Sequence, residues 1–304
     1  MMRIPAFFAA VFIGAFMWTM SACSGTAEDT LLAQIEQMHK ALDANPDPAL
    51  ADSLVAKCQE WMALKPEDTG RQATGLLKSA EALALTGRSA FAQYRLKQIL
   101  RQHRDASEAP AAALLLASLY KKELASPATA FSIYQLFPEA FPGSDKIDEA
   151  KSWLPASVPP LAERIDSMAT RIVNFKTGQL DARIAKDYIE TCEISALLMP
   201  ASADAAKMLY KAGEVSRAIS ANDKALEYYE QVYTNYPNDK YASEALFMHA
   251  FTLDNDLKRY DEAKVLYETF LKKYPKDDFT DDAQFLLKNL GKSEEEIFQS
   301  LENQ

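Results

Sequence analysis

Between residues 222 and 279 the apolar and polar positions recur in one arrangement. In "NDKALEYYEQVYTNYPNDKY" (222–241), Ala225 and Tyr229 stand four apart, one helical turn along a single face. The stretch "YDEAKVLYETFLKKYPKDDF" (260–279) places Ala263 and Tyr267 in the same relation, a shift of 38 positions from Ala225. Glu230 and Glu268 follow, then Tyr236-Pro237 and Tyr274-Pro275, then Glu244-Ala245 and Asp282-Ala283. Each position has a local reason. Alanine at 225 and 263 suits a close crossing of two helices, where a larger side chain would push the axes apart. The tyrosines fill the groove one turn on. Tyr-Pro stops the helix, because proline disfavours helical geometry in the residue before it. Asp277, Asp278, Asp281 and Asp282 fall near the next helix start, where the helix dipole favours negative charge. Ser293 and Glu296 have capping-box spacing. The aromatics and acids of these stretches therefore read as packing and helix punctuation.

The same ruler fits upstream. Ala130, Tyr134, Phe141-Pro142 and Glu149-Ala150 keep the offsets, and Ala92 leads through Leu96 to Ala112 with Arg104 in the place of the proline. Ala212 and Ala250 share the spacing. Self-similarity at such a period predicts an all-α solenoid of helical hairpins. The pattern predicts helices at about 28–44, 49–64, 69–86, 89–104, 107–123, 126–138 and 144–154. It continues with about 161–174, 178–198, 202–218, 222–235, 240–256, 260–273, 278–290 and 294–302. From Ala130 to Ala225 the spacing is two and a half periods, so the register is interrupted. Pro138, Pro142, Pro155, Pro159 and Pro160 crowd that zone, and "PASVPP" (155–160) cannot be continuous helix. The expected organisation is a leader at 1–22, a helical array at 23–154, a proline-rich break at 155–160 and a second array at 161–304.

"RYDEAKVLYETFLKKYP" resembles the second helix of a tetratricopeptide repeat, and "SEALFMHAFTLDND" the first. The period exceeds the family's usual 34. Longer repeats ending in Tyr-Pro are similar to those of bacterial envelope lipoproteins that help assemble outer-membrane β-barrels or coordinate envelope constriction. The resemblance is closest over 202–290, weaker over 69–154 and weakest over 28–64 and 161–198. It implies a concave surface on which an extended peptide docks. Tyr241, Glu244, Met248 and Phe251 are the candidates for lining that groove.

Composition supports this reading. Hydrophobic residues at 48% and charged ones at 25% fit a soluble globular domain, and nine glycines argue against an all-β fold with a turn every ten residues. The net charge of −10 argues against nucleic acid as the main partner, and no basic stripe interleaved with aromatics is expected to offset it. The segment "MMRIPAFFAAVFIGAFMWTMSAC" has Arg3, an apolar run and then small residues, the pattern of an export leader too short to be a comfortable membrane span. "MSAC" (20–23) resembles a lipoprotein lipobox, with Met20 where leucine is usual. That resemblance implies cleavage after Ala22, acylation of Cys23 and anchoring in a membrane. Ser24 favours the outer membrane, facing the periplasm or the cell surface.

No chemical site is visible. His39, His103 and His249 have no second ligand at helical metal spacing, His103 reads as a solvated surface residue, and His249 as a structural one. Cys58 and Cys192 read as small buried hydrophobes, and Trp61 and Trp153 as buried helical residues. Asp277–Asp282 lacks the glycine of a calcium loop. No phosphate loop or nucleophile elbow occurs. The expectation is a lipid-anchored adaptor without enzyme activity, metal or cofactor, whose partner is an envelope protein or peptide. Self-association of the arrays and glycan or peptidoglycan binding on exposed aromatics stand as alternatives.

Overall fold

The computed structural model describes residues 11–299 except 175, 294 and 297, with side chains from Glu28 onward. The start of the leader and the side chains of the lipobox, Cys23 included, lie outside the described residues. The chain forms two compact units, one ending at Ala125 and one beginning at Ser126. The first holds α1 (Val11–Ala44), α2 (Pro48–Ala63), α3 (Thr69–Leu85), α4 (Ser89–Gln102) and α5 (Ala109–Lys122). The second begins with α6 (Pro127–Ala140), α7 (Ile147–Ser152), α8 (Leu161–Ala169) and α9 (Ala182–Leu198). It continues with α10 (Ala205–Ala218), α11 (Asn222–Asn235), α12 (Tyr241–Phe251), α13 (Tyr260–Lys273) and α14 (Thr280–Lys288). A π-helical turn at Thr252–Asp256 extends α12. Among the described residues there is no strand, only an isolated antiparallel bridge between Val173 and Leu180. Most helices pack on their chain neighbour, and α1 also touches α3, α3 touches α5, and α10 touches α12. This is the stacking of an α-solenoid.

The recurrent positions occupy the seams. Ala92, Ala130, Ala225 and Ala263 have no exposed surface, and neither do Tyr229 and Tyr267. Tyr236 and Tyr274 end their helices with nearly the same dihedrals, φ −127° with ψ 52° and 58°. Met199, before Pro200, adopts φ −128° and ψ 58°, so the same stop occurs at the end of α9. His103 takes a similar conformation without a following proline. Ser293 and Glu296 form the reciprocal capping hydrogen bonds, with Ser293 N donating to Glu296 Oε2 at 2.8 Å and Glu296 N to Ser293 Oγ at 3.3 Å.

The other end of the hairpin has its own marker. Gly87, Ala125, Ser220 and Lys258 all have positive φ, between 52° and 73°. Gly87 and Ala125 are one repeat apart, as are Ser220 and Lys258. After three of them the next amide donates back into the preceding helix: Arg88 N to Leu83 O, Ala221 N to Ser216 O and Arg259 N to Leu253 O, each at 2.8 Å. Only Gly87 carries the residue type that normally signals such a left-handed cap.

The unit boundary differs from the one expected at 155–160. Helix α6, upstream of the prolines, packs on α9. Thr129 Oγ1 lies 3.2 Å from Thr191 Oγ1, and Ser126 Oγ 2.7 Å from Thr129 Oγ1, all buried. Arg164 of α8 donates to Ala128 O at 2.7 Å, Ser132 Oγ at 3.0 Å and Gln135 Oε1 at 3.0 Å. Because α8 follows the prolines directly and clasps α6, the irregular segment is an internal loop of the second unit. Two further expectations change. The helix expected from 178 begins at Ala182, since Leu180 pairs with Val173 and Gly178 turns at φ 68°. Trp153 is not buried but 45% exposed, because α7 ends at Ser152 and leaves its ring stacked on Tyr134 at 6.5 Å. Cys58 and Cys192 are buried free thiols, and burial pushes the Cys192 thiol up to about 12.

Candidate functional site

The four expected groove residues share one face of α12, spaced 241, 244, 248 and 251, and each is half-buried. Packing of α12 on α10 brings them against named partners. The Tyr241 ring lies 5.2 Å from that of Tyr210, and the Glu244 carboxylate is among the acids that disfavour ionisation of the Tyr210 phenol. Burial first, then the carboxylates Glu214 and Glu244, holds the Tyr210 phenol far above its ordinary pKa. Met248 packs against the two hydrophobic clusters of this unit. Phe251 stacks on Phe247 at 6.2 Å and lies under the Arg217 guanidinium at 4.8 Å. That guanidinium grips Asp256 with two hydrogen bonds, Nε to Oδ2 at 2.5 Å and NH2 to Oδ1 at 3.2 Å. The stripe is thus half packing and half surface: rings and carboxylates fixed by α10 and open on one side.

His249 lies behind this stripe. Its Nδ1 is 3.2 Å from the Tyr233 hydroxyl. Burial, helped by Arg259, lowers the His249 pKa to about 4, so the ring is neutral at pH 7 and structural, as expected. His103 departs from expectation: it is half-buried, its Nδ1 lacks a hydrogen-bond partner, and burial lowers its pKa.

A second groove, in the first unit, was not expected. The first helices of its pairs, α1, α3 and α5, line a cavity of about 350 Å³ with Leu85, Leu115 and Leu119 as apolar wall and His39, Glu81 and Lys122 among its polar groups. His39 Nε2 is 2.8 Å from Glu81 Oε2, and Nδ1 is 3.4 Å from Asp43 Oδ2. The close Glu81 carboxylate outweighs burial and raises the His39 pKa. Asp43 lies one turn from His39 and was legible as a neighbour. Glu81 arrives only through the packing of α1 on α3, and α1 lies in a part of the chain where the repeat signal is weakest.

The α12 stripe presents rings, a carboxylate and a neighbouring guanidinium, and the first-unit cavity an apolar wall beside carboxylates, an imidazole and an ammonium. Among the described residues no group of three His, Cys, Asp or Glu side chains is placed to hold a metal ion, and no helix is long and apolar enough to cross a membrane.

A tetratricopeptide-repeat family model matches residues 207–239 and 244–277, which are the α10–α11 and α12–α13 hairpins. From Glu244 to Phe251 the stripe therefore lies on the first helix of the second matched repeat, facing the first helix of the one before, and Tyr241 stands just ahead of the match. No curated protein sequence matches the chain. Tetratricopeptide repeats generally mediate protein–protein interaction.

Proposed function

We propose that this chain is a lipid-anchored tetratricopeptide adaptor of a bacterial envelope membrane. It binds a protein or peptide partner and performs no catalysis. The observation that carries the reading is the row of half-buried Tyr241, Glu244, Met248 and Phe251, open on one side, with the last three inside the second matched repeat. In its finer form, Cys23 carries the anchor in the outer membrane, and the partner belongs to barrel assembly or envelope coordination. Support for the anchor is the leader pattern and the "MSAC" stretch. Two measurements test the two parts. Fatty-acid analogue should label the chain and spare Cys23→Ala; equal label removes the anchor. Affinity capture from solubilised envelopes should recover one partner with the intact chain and lose it with Glu244→Arg. Recovery unchanged by that variant moves the site away from α12.

Glycan binding has one observation in its favour, the partly exposed Trp153 ring stacked on Tyr134. Carbohydrate platforms commonly use such rings. Titration with soluble peptidoglycan fragments should then change tryptophan fluorescence, and a flat titration removes this reading.

A further inference from the structure

Helix α1 is tied into the first unit close to Cys23. The Glu28 carboxylate ion-pairs with the Arg71 guanidinium of α3, and its Oε2 lies 3.2 Å from Nζ of Lys65 in the turn between α2 and α3. Arg71 is buried, its Cζ 4.9 Å over the Trp61 ring while NH1 donates to Trp61 O at 3.3 Å. Loss of Glu28 would leave that buried guanidinium to the more distant Asp68, 3.8 Å from Nε, so the tie is costly to break. Further along the same two helices, His39 of α1 meets Glu81 of α3. Both rungs run in one sense, so α1 and α3 are parallel. The cavity at His39 and Glu81 therefore lies toward their far ends, roughly 16 Å along α1 from Glu28.

We propose that the α2–α3 turn, from Leu64 to Asp68, is the end of the first unit that stands on the bilayer, with Leu64 among the lipid headgroups. The inference rests on the proposed acylation of Cys23. Five residues lead from Cys23 to Glu28. They span roughly 8 Å as helix and no more than about 18 Å fully extended. The tie at Glu28 therefore leaves the turn no length of chain with which to move off the surface. Contact here requires no strong affinity of its own, because the acyl chains supply the attraction. The turn suits the position: it is exposed throughout, and the 48% exposed Leu64 gains by leaving water. Lys65 offsets one of its two acids, and Asp68 is engaged in capping α3, accepting from Arg71 N at 3.0 Å. The same mount points the His39 end of the unit away from lipid, so an occupant of that cavity reaches it from the aqueous side.

The test uses the full chain made with its leader, purified in its acylated form and reconstituted in phospholipid vesicles. A fluorophore is attached at Leu64→Cys or, beyond the joint at the opposite end of α3, at the exposed position Phe91→Cys. Cys58 and Cys192 are buried and do not compete for the label. Lipids with a nitroxide on the headgroup quench a fluorophore that approaches the surface. The expected result is several-fold stronger quenching at 64 than at 91, falling to the level of 91 when Glu28→Arg is added. The comparison of 64 with 91 requires no change at Glu28, so it stands even where that variant fails to fold. Equal quenching at both positions, on chain that carries fatty acid and floats with the vesicles, overturns the mount and leaves the anchor standing. Strong quenching at 64 that survives Glu28→Arg overturns the role of the tie. Chain without fatty acid that stays free of the vesicles overturns the Cys23 anchor, and this inference with it.

Discussion

The ring of Tyr229 lies directly over Gly213: a methyl group at 213 would come within 2.6 Å of Tyr229 Cε1 and 2.9 Å of Cδ1. This is where α10 and α11 cross. The ring has no exposed surface and cannot swing away, so Gly213→Ala should destabilise the second unit by about 1–3 kcal/mol through overpacking. Denaturant unfolding measures it. The Tyr229 hydroxyl is buried without a hydrogen-bond partner, so Tyr229→Phe should cost nothing or stabilise by roughly 0.5–1 kcal/mol. A large loss in that variant would show that the hydroxyl has a partner.

Ala263 occupies the corresponding seam between α12 and α13, with no exposed surface. Leucine there should lower stability by about 1–3 kcal/mol, and leucine at Ala225 by a similar amount. Unchanged thermal melts for both would place the alanines outside the helix crossings.

The left-handed joints make the opposite prediction. Ser220 and Lys258 adopt φ 61° and 56°, a conformation costing a side-chain-bearing residue about 1–2 kcal/mol, and glycine avoids that cost. Part of the gain is lost to the greater freedom of glycine in the unfolded chain. Lys258→Gly and Ser220→Gly should each stabilise by a net amount on the order of 0.5–1 kcal/mol, read as a raised unfolding midpoint.

The two buried-side histidines titrate in opposite senses. His249 has its folded pKa lowered to about 4, chiefly by burial and also by Arg259. Above the unfolded value of about 6.5 the ring is neutral in both states and contributes nothing adverse. As pH falls from about 6.5 toward 4, the unfolded chain takes up a proton that the folded chain refuses, and stability drops. The loss by pH 4 should be on the order of 2–3 kcal/mol, and His249→Phe should abolish it. His39, whose pKa is raised first by the Glu81 carboxylate beside it, works the other way. Its stabilisation is complete below the unfolded pKa and disappears as pH rises through the folded one. His39→Gln should therefore flatten the pH dependence of the first unit near and above neutrality.

Much of the fold was legible because alanine, tyrosine and Tyr-Pro recur at positions whose physics is local. Seams and helix stops follow from one or two neighbouring side chains, as at Ala225–Tyr229 and Tyr274-Pro275. The joints were illegible because Ala125, Ser220 and Lys258 stand where glycine would have announced the turn. The unit boundary was misread because Pro155 and Pro160 show where helix stops, not where contact stops. Arg164 and Thr191 reach α6 across that gap, and no short window contains both ends of such a contact. The stripe on α12 was legible from helical spacing, but its partners Tyr210 and Arg217 required the α10 packing. The groove at His39 needed Glu81, and the tie at Glu28 needed Arg71 and Lys65.

The clasp between α6 and α9 also bears on how the second unit assembles. Its other helices find partners next to them along the chain, so those hairpins close over short distances and form early. Bringing Thr129 to Thr191 encloses some sixty residues, and that closure carries the largest loop entropy in the unit, about (3/2)RT ln n. Refolding should therefore show a late phase slowed by Thr191→Val but untouched by Ala263→Leu. A chain nicked by protease within 155–160 should remain a single particle on size exclusion, with its two pieces parting only under denaturant.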